Sequence, residues 1–269
     1  MPSVALPAWL LGGVLLLLAG CSGTPERDSA PTSHPVDLAR VPDAVPKVEP
    51  RARYGNPQSY VVHGRRYHVK GSSAGYRERG VASWYGRKFH GRRTSSGEVY
   101  DMYRMTAAHR SLPLPTFARV TNLENGRQVV LRINDRGPFH DNRLIDLSYV
   151  AAWKLGILAK GTGFVEVEAI DPRAPAPPPA QVAKAAAPNG AQVRMYLQTG
   201  SFSNWTNAER LKGRIAPVAA RPIEIQPAVV AGRTTYRVRV GPIDDVDEAD
   251  RLAQRLTELG LETPRIVVE

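Results

Sequence analysis

Two stretches of the chain gather carboxyl groups whose types and spacing could support proton transfer. The first holds Glu98, Asp101 and His109 among small residues. The second places Asp135 directly after an alternating strand pattern and before the turn Gly137-Pro138. Rigid scaffolds often present functional side chains at such strand ends, and carboxyl and imidazole groups are the usual general acids and bases. These residues are therefore the candidates for acid–base chemistry, with Asp135 the strongest.

Each candidate also has a structural interpretation that the sequence leaves open. Asp135 could close a hairpin as an Asx turn, and exposed loop carboxylates such as Glu98 and Asp101 are common. His109 could hydrogen-bond a carboxylate or a ligand, or it could hold strands together. The two residues that flank Asp135, an Asn and an Arg, could fix the orientation of its carboxyl group.

The sequence predicts neither a metal site nor a cofactor. None of the six histidines forms a helical i, i+4 pair with a third ligand, and the chain has a single cysteine. Zinc sites are usually built from three or four His, Cys or carboxylate ligands. The chain also shows no nucleophilic serine elbow and no glycine-rich phosphate loop.

That single cysteine, Cys21, follows the apolar run Trp9 to Ala19. A short apolar segment followed by small residues is typical of a secretory signal and is too short to span a bilayer. Leu18-Ala19-Gly20-Cys21 resembles a bacterial lipobox, which implies that residues 1–20 are removed and that acyl chains on Cys21 anchor the protein. Ser22 follows the cysteine, as in lipoproteins sent to the outer membrane. The alternative is an ordinary signal peptide with a chance cysteine.

The composition points to an anionic partner in the cell envelope. The formal net charge is +11 and the isoelectric point is near 10.0, which favours nucleic acid, anionic lipid or an anionic wall polymer. Export excludes most nucleic-acid roles, so no nucleic-acid partner is expected. Simple solubility is the alternative explanation of the charge.

Two segments rich in proline and small residues divide the chain into folded units. Residues 21–59 have the composition of a flexible tether, and residues 172–190 that of a semi-extended linker. The sequence thus predicts a first unit over 60–171 and a second over 191–269.

The first unit has the pattern of a small closed β-barrel. Short strands with period-two alternation recur with little helix between them, and Asn125-Gly126 marks a tight turn. One helix is expected from Ser148, as its N-cap, to Leu158. The expected strands cover residues 60–69 as a hairpin, 80–85, 116–121, 129–133 and 163–170.

The second unit has the order β-α-β-β-α-β, the ferredoxin-like split pattern. Strand parity directs Val193, Met195, Leu197, Tyr236, Val238 and Val240 toward the helices. It leaves an aromatic ring beside Arg and Gln side chains on the open face, which suits stacking and hydrogen bonding to a sugar strand. A solvated sheet face is the alternative. The open-face residues are Arg194, Tyr196, Gln198, Arg237 and Arg239.

Several motifs of both units resemble the rare lipoprotein A family. The second unit, with Gln198-Thr199-Gly200-Ser201-Phe202 and Tyr236-Arg237-Val238-Arg239-Val240-Gly241-Pro242, is similar to the sporulation-related repeat domain. The first unit resembles the family's double-psi β-barrel in Gly80-Val81-Ala82-Ser83-Trp84-Tyr85-Gly86, Thr94-Ser95-Ser96-Gly97-Glu98, Met105-Thr106-Ala107-Ala108-His109 and Val130-Leu131-Arg132-Ile133-Asn134-Asp135-Arg136-Gly137-Pro138.

The resemblance implies an endolytic lytic transglycosylase that acts on naked, stem-peptide-free glycan strands at the division septum. The family's key acidic residue falls on Asp135, and its supporting residues fall on Glu98, Asp101 and His109. The implied location is the outer membrane, facing the periplasm, through a lipid on Cys21. The alternative is a non-catalytic septal lipoprotein that binds the wall, because double-psi barrels also occur in proteins that do not cleave.

A lytic transglycosylase needs only one carboxyl group, because the substrate's own C6 hydroxyl is the nucleophile. That group would act first as acid to the leaving oxygen and then as base to the hydroxyl. The sequence predicts this double role for Asp135, with a pKa raised by burial or by the charge of Glu98 or Asp101.

Overall fold

The computed structural model describes residues 28–31, 36–174, 193–230 and 232–269. They form two folded units. The first contains a two-stranded hairpin, a barrel and one helix, and the second contains a four-stranded sheet with two helices. Cys21 and residues 175–190 of the predicted linker lie outside the described residues. The elements are β1 Ser59–Val62, β2 Arg65–His68, β3 Arg77–Tyr85, β4 Thr106–His109, β5 Thr116–Asn122, β6 Gln128–Asp135, β7 Ile145–Ser148, α1 Tyr149–Leu155, β8 Gly163–Ala169, β9 Met195–Phe202, α2 Trp205–Ala219, β10 Ile223–Val230, β11 Arg233–Ile243, α3 Val246–Glu258 and β12 Arg265–Val268.

Six strands close the barrel in the order β3-β7-β4-β6-β5-β8. The pairs β3–β7 and β4–β6 are parallel, and the other four are antiparallel. Inward-facing aliphatic side chains such as Leu131, Ile133 and Leu147 are fully buried and fill the interior. The predicted barrel is therefore confirmed, with its strand ends gathered around a small opening.

Most strands of the barrel show the predicted alternation of apolar and polar residues, whereas the two short strands β4 and β7 do not. The turn at Asn125-Gly126 joins β5 to β6, and the Ser148 hydroxyl accepts the Ala151 N–H as the N-cap of α1. Strands β4 and β7 have only four residues each and are mostly buried. Such short buried strands carry too few polar residues to show a period of two.

Residues 36–58 differ from the flexible tether predicted for 21–59, because they lie against the barrel. Leu38 is buried in the barrel core. Asp43 accepts the Val130 N–H at 2.8 Å and pairs with Lys154 at 3.1 Å. The Glu49 carboxylate binds Arg132 at 2.7 Å. This segment is held in place by a few specific anchoring contacts, which a proline-rich composition does not reveal.

The second unit has the predicted ferredoxin-like order, with the sheet arranged β10-β11-β9-β12 and all its pairs antiparallel. The parity prediction is confirmed for Met195, Leu197, Val238 and Val240, which are fully buried against the helices. Gly260, with a φ of 75°, follows the end of α3 as the sequence predicts.

The two units touch along one edge. Strand β12 of the second sheet lies beside β3 of the barrel, and Val81 and Phe164 of the barrel join the second hydrophobic core. The buried Arg143 guanidinium pairs with Asp250 of α3 at 2.8 Å. Among the described residues, no helix has the length and hydropathy needed to cross a membrane.

Candidate active site at the open end of the barrel

Asp135 is the last residue of β6, and the loop that precedes Glu98 folds over it. The Ser95 N–H and hydroxyl both donate to Asp135 Oδ1 at 2.7 Å, and the Arg136 N–H donates to the same oxygen at 2.7 Å. The Ser96 N–H in turn donates to the carbonyl of Asn134 at 3.3 Å. Three donors on one oxygen fix the carboxyl group in a single orientation at the barrel opening.

The side chains of Asn134 and Arg136 do not orient the Asp135 carboxyl group, as the sequence suggested they could. Arg136 turns away, and its buried guanidinium donates to the carbonyl groups of Gly55, His109 and Leu112. Asn134 donates to Glu98. The carboxyl group of Asp135 is therefore oriented by Ser95 and by backbone N–H groups, and not by the two neighbouring side chains.

Glu98 is held as a carboxylate on the same edge. Its two oxygens accept from the Arg132 guanidinium at 2.8 and 2.9 Å and from Asn134 Nδ2 at 2.9 Å. Burial opposes ionisation, yet the hydrogen bonds from Asn134 and Arg132 lower the pKa of Glu98 below its usual range. Because Arg132 also binds Glu49, Glu98 belongs to an ion-pair network that stays charged.

His109 has a hydrogen-bonding role inside the barrel wall. Its Nδ1 accepts the N–H groups of Ser111 and Leu112 at 3.2 and 3.0 Å, so Nε2 carries the proton and donates to the Tyr76 hydroxyl at 2.9 Å. Burial, reinforced by the positive charge of Arg110, lowers the pKa of His109 to about 3. Of the roles left open by the sequence, the geometry supports a neutral imidazole that positions the strand end.

Asp101 lies on a half-exposed turn beside aromatic rings. Its carboxylate accepts the Tyr103 N–H at 3.0 Å and lies 3.7 Å from His90 Nδ1. The Tyr103 ring packs edge-on against His90 and against Tyr149, which in turn packs against Trp84. In the described part of the chain, no hydrogen bond joins Asp101 to Asp135. Asp101 therefore belongs to the turn that leads into β4, beside a group of aromatic rings.

Asp146, on β7, is a site residue that the sequence analysis missed. Ala108 of β4 pairs with Asp135 on one side and with Asp146 on the other, which places the two Cα atoms roughly 10 Å apart, since neighbouring strands are about 4.8 Å apart. Burial raises the pKa of Asp146 to about 6, and the charges of Asp28 and Asp135 act in the same direction. A hydrogen bond with Ser83 opposes the rise.

Buried polar atoms without partners cluster around these two aspartates. Five buried side-chain polar atoms of the described residues have no hydrogen-bond partner, and four of them lie on the contiguous strands β3, β7, β4 and β6. Such atoms in a folded protein call for a functional or solvent explanation. The four are Tyr85 Oη, Asp146 Oδ1, Thr106 Oγ1 and Asn134 Oδ1.

The predicted sugar-binding face of the second unit is only partly open. Tyr196 is buried, and its ring lies so close to Gly241 that a Cβ there would sit 2.8 Å from Cδ1. Arg239 is also buried and binds Gln226 Oε1 and Glu269 Oε1 at 2.7 and 2.5 Å. Neither side chain is exposed for stacking or sugar contact, as the parity argument supposed. Gln198 and Arg237 remain partly exposed on this face.

No group of three or more His, Cys, Asp or Glu side chains that could hold a metal ion occurs within residues 28–31, 36–174, 193–230 and 232–269. The candidate site thus consists of carboxyl groups, hydroxyl groups and aromatic rings. This donor set is suited to proton transfer on a neutral sugar.

Comparison with known proteins agrees with this fold. Residues 77–168 match the family model described as lytic transglycolase, and residues 191–263 match the SPOR domain. The structure is thus a double-psi barrel of the lytic transglycosylase class joined to a SPOR domain.

Two similar proteins and one solved domain carry the same family name. The endolytic peptidoglycan transglycosylase RlpA of Pseudomonas aeruginosa is 40% identical over 93% of this chain and 88% of its own length. The Vibrio cholerae protein of that name is 37% identical over 93% of this chain and 92% of its own. The crystal structure of the P. aeruginosa RlpA SPOR domain is 37% identical, covers 27% of this chain and 96% of that one, and has a TM-score of 0.27. The chain belongs to the RlpA family of endolytic peptidoglycan transglycosylases.

Proposed function

We propose that the protein cleaves naked, stem-peptide-free peptidoglycan glycan strands and leaves 1,6-anhydro-muramic acid ends. The observation that carries the proposal is the pair of aspartates on either side of Ala108, one oriented by three donors and one with a raised pKa. Family membership supports the reaction class.

The two carboxyl groups divide the acid and base roles. Asp146, whose burial raises its pKa to about 6, holds a proton for the leaving oxygen more readily than an ordinary aspartate. Asp135, fixed by Ser95 and the Arg136 N–H, accepts the proton of the C6 hydroxyl. The sequence alone assigned both steps to Asp135, and the raised pKa of its neighbour supports the division.

The reaction balances without water. The C6 oxygen of muramic acid forms a bond to its own C1 while the bond from C1 to the leaving oxygen breaks. Asp146 gives its proton to that oxygen, and Asp135 takes the proton of the C6 hydroxyl. Transfer of one proton from Asp135 to Asp146 then restores both groups. Glu98 and His109 act as positioning residues, because the first is tied to the strand end by Asn134 and the second by Ser111 and Leu112.

The proposed location rests on Cys21 and on the SPOR domain. Acyl chains on Cys21 would hold the protein in the outer membrane, facing the periplasm, and the SPOR domain would concentrate it on stripped strands at the septum. Replacing Cys21 with Ser should abolish labelling by a palmitate analogue. A chain that ends at Asp171 should lose septal fluorescence while the full chain keeps it. Unchanged labelling, or unchanged septal enrichment, would contradict the corresponding part of this proposal.

The reaction is tested on two substrates that differ only in their stem peptides. Purified protein is incubated with amidase-treated peptidoglycan and with intact peptidoglycan, and soluble products are identified by mass spectrometry. We expect anhydro-muramic acid ends from the stripped strands and few or none from the intact ones. Retention of strands by the protein without any cleavage would instead identify a wall-binding protein. Equal cleavage of both substrates would remove the naked-strand claim and keep the reaction.

A further inference from the structure

A second anion-binding feature lies just after the end of β3 and is occupied by the protein's own chain. The carboxylate of Asp28 accepts the Gly86 N–H at 2.7 Å and the Lys88 N–H at 3.1 Å. The neighbouring Ser29 carbonyl accepts the Arg87 N–H at 3.1 Å. Three successive N–H groups after β3 thus point outward and meet oxygen atoms of a segment that is distant in sequence.

The turn at Gly86 lets the segment of Asp28 and Ser29 approach the backbone closely. A Cβ on Gly86 would lie 2.6 Å from the Ser29 carbonyl oxygen and 2.9 Å from the Trp84 ring, so only glycine admits the incoming chain here. The backbone N–H groups of Gly86 and Lys88 converge on one carboxylate, and the side chains of Arg87 and Lys88 add positive charge. Convergent backbone N–H groups of this kind bind anions.

This turn lies near Asp146 but toward the other end of the barrel from Asp135, because β3 and β6 run in opposite directions. Gly86 directly follows β3, whose residue Ser83 pairs with Asp146. The charge of Asp28 contributes to the raised pKa of both Asp146 and Tyr100. The Trp84 ring, which lies against Gly86, packs edge-on against Tyr149 at a centroid distance of 5.8 Å. An anion bound here therefore lies beside both an aromatic wall and a proton-holding carboxyl.

Asp28 is held at this turn by backbone N–H groups, which bind any carboxylate in the same way. Another carboxylate bound here would bring the same negative charge toward Asp146. An incoming anion can therefore replace Asp28 without leaving the donors unpaired.

We propose that the Gly86 and Lys88 N–H groups form a subsite for the free lactyl carboxylate of a muramic acid residue, and that Asp28 occupies this subsite until substrate replaces it. The inference rests on the proposed function and names the feature that selects stripped strands. Removal of the stem peptide converts the lactyl amide into a carboxylate. Hydrogen bonds to an ionised acceptor are roughly twice as strong as those to a neutral one, so the subsite favours the stripped form.

Binding at the subsite can be measured without cleavage. Full-length ¹⁵N-labelled protein is titrated with N-acetylmuramic acid, which carries the lactyl carboxylate, and with N-acetylglucosamine, which lacks it. We expect the amide signals of Gly86 and Lys88 to move with the first sugar and to stay in place with the second. If both sugars move these signals equally, or neither does, the subsite is not a carboxylate site.

Competition by Asp28 is tested with two variants and a matched control. In Asp28→Ala the midpoint of the N-acetylmuramic acid titration should fall about tenfold, as expected for a competitor that fills its site nine-tenths of the time. Asp28→Asn, which keeps the shape without the charge, should fall between Asp28→Ala and the wild type. The control is Asp37→Ala, since the Asp37 side chain contacts only Ala39 and Arg40 among the described residues. An unchanged midpoint in Asp28→Ala contradicts the competition.

Kinetics separate failure of this inference from failure of the proposed function. Asp28→Ala should lower the KM for stripped strands, because the group that competes for the subsite is absent. Stripped strands whose lactyl groups have been converted to methylamides should show a KM that does not respond to this substitution. Cleavage with equal KM for free and amidated strands overturns the subsite alone. Absence of cleavage with both, accompanied by the expected amide shifts, overturns the proposed reaction and retains the binding site.

Discussion

The barrel opening and the open face of the second sheet both carry charged groups, but they hold those groups differently. In the barrel, burial raises the pKa of Asp146 to about 6, and Asp146 Oδ1 has no hydrogen-bond partner among the described residues. In the second unit, Arg239 Nη1 binds Glu269 and Gln226, although its Nε has no partner among the described residues, and Tyr196 packs over Gly241. A buried carboxyl group with a shifted pKa is typical of a site that does chemistry, whereas a buried ion pair beside a packed ring stabilises a domain.

This difference predicts that the barrel substitutions change activity and that the second-unit substitutions at buried positions change stability. The largest effect is expected for Asp135→Asn, which keeps the shape but cannot accept the proton of the C6 hydroxyl. General acid–base catalysis is typically worth 10²–10⁴-fold, so formation of anhydro ends should fall by at least about 100-fold, equivalent to roughly 3 kcal/mol of barrier. The assay is mass spectrometry on stripped strands. Asp141→Asn serves as control, since Asp141 is exposed and pairs only with Arg65 among the described residues.

The second prediction concerns Asp146→Asn, which should lose activity and gain stability. A raised pKa in the folded state means that ionisation of Asp146 opposes folding above about pH 6 and that this cost disappears as the pH falls through 6 toward 4. The free energy of unfolding of the variant should therefore exceed that of the wild type by about 1–3 kcal/mol at pH 8. At pH 4 the two values should be equal. Denaturant titrations at the two pH values measure this.

The catalytic readout of Asp146 is the pH dependence of cleavage. With Asp146 as the acid, kcat of the wild type should decline as the pH rises above about 6. The residual activity of Asp146→Asn should lack this decline. A wild-type profile that stays flat through neutral pH would mean that another group supplies the proton.

A smaller effect, confined to the second unit, is expected for Tyr196→Ala. Removal of a buried aromatic ring leaves a cavity and typically costs about 3 kcal/mol of folding free energy, so thermal unfolding of this unit should shift downward. The matched comparison is Arg237→Ala at a partly exposed position, which should weaken binding to stripped strands with little change in stability. If Tyr196→Ala instead weakens binding with unchanged unfolding, the buried ring is a sugar contact after all.

The smallest effect is expected for His109→Asn, and it should change stability only at acidic pH. Because the folded state keeps His109 neutral down to about pH 3, its contribution to stability is complete above pH 6.5 and is lost as the pH falls from 6.5 toward 3. The loss amounts to about 1.4 kcal/mol at pH 5.5. His109→Asn should remove this part of the acid sensitivity, as measured by urea unfolding at pH 7.5 and 5.5. An unchanged difference between the two pH values would contradict a neutral buried imidazole.

The two units also differ in how much of them the sequence reveals. The alternation of β5, β6 and β8 and the helical spacing of α2 and α3 report burial directly, because each element has one apolar face. Strand β7 has only four residues, with Asp146 between Ile145 and Leu147, and this pattern is typical of an ordinary strand end. The one available signal was an acidic residue between two aliphatic ones just before the Ser148 N-cap. Its raised pKa depends on neighbours from other strands, which no local pattern contains.

The packed segment of residues 36–58 shows the same limit of local patterns. Its composition predicts a flexible tether, and most of it lies outside helices and strands. What composition does not convey is that Asp43 and Glu49 meet Lys154 and Arg132 on the barrel. Long-range ion pairs of this kind depend on the completed fold, so the predicted tether became part of the scaffold that holds Glu98.

The most direct test of the account is cleavage of stripped glycan strands in ¹⁸O-labelled water by the wild type, Asp135→Asn and Asp146→Asn. Because the C6 hydroxyl is the proposed nucleophile, the wild type should release anhydro-muramic acid ends that contain no ¹⁸O. Both variants, shown to be folded by circular dichroism, should release at least about 100-fold less product. Incorporation of ¹⁸O into the new reducing ends, or near-normal turnover by either folded variant, would contradict a transglycosylase site built on these two aspartates.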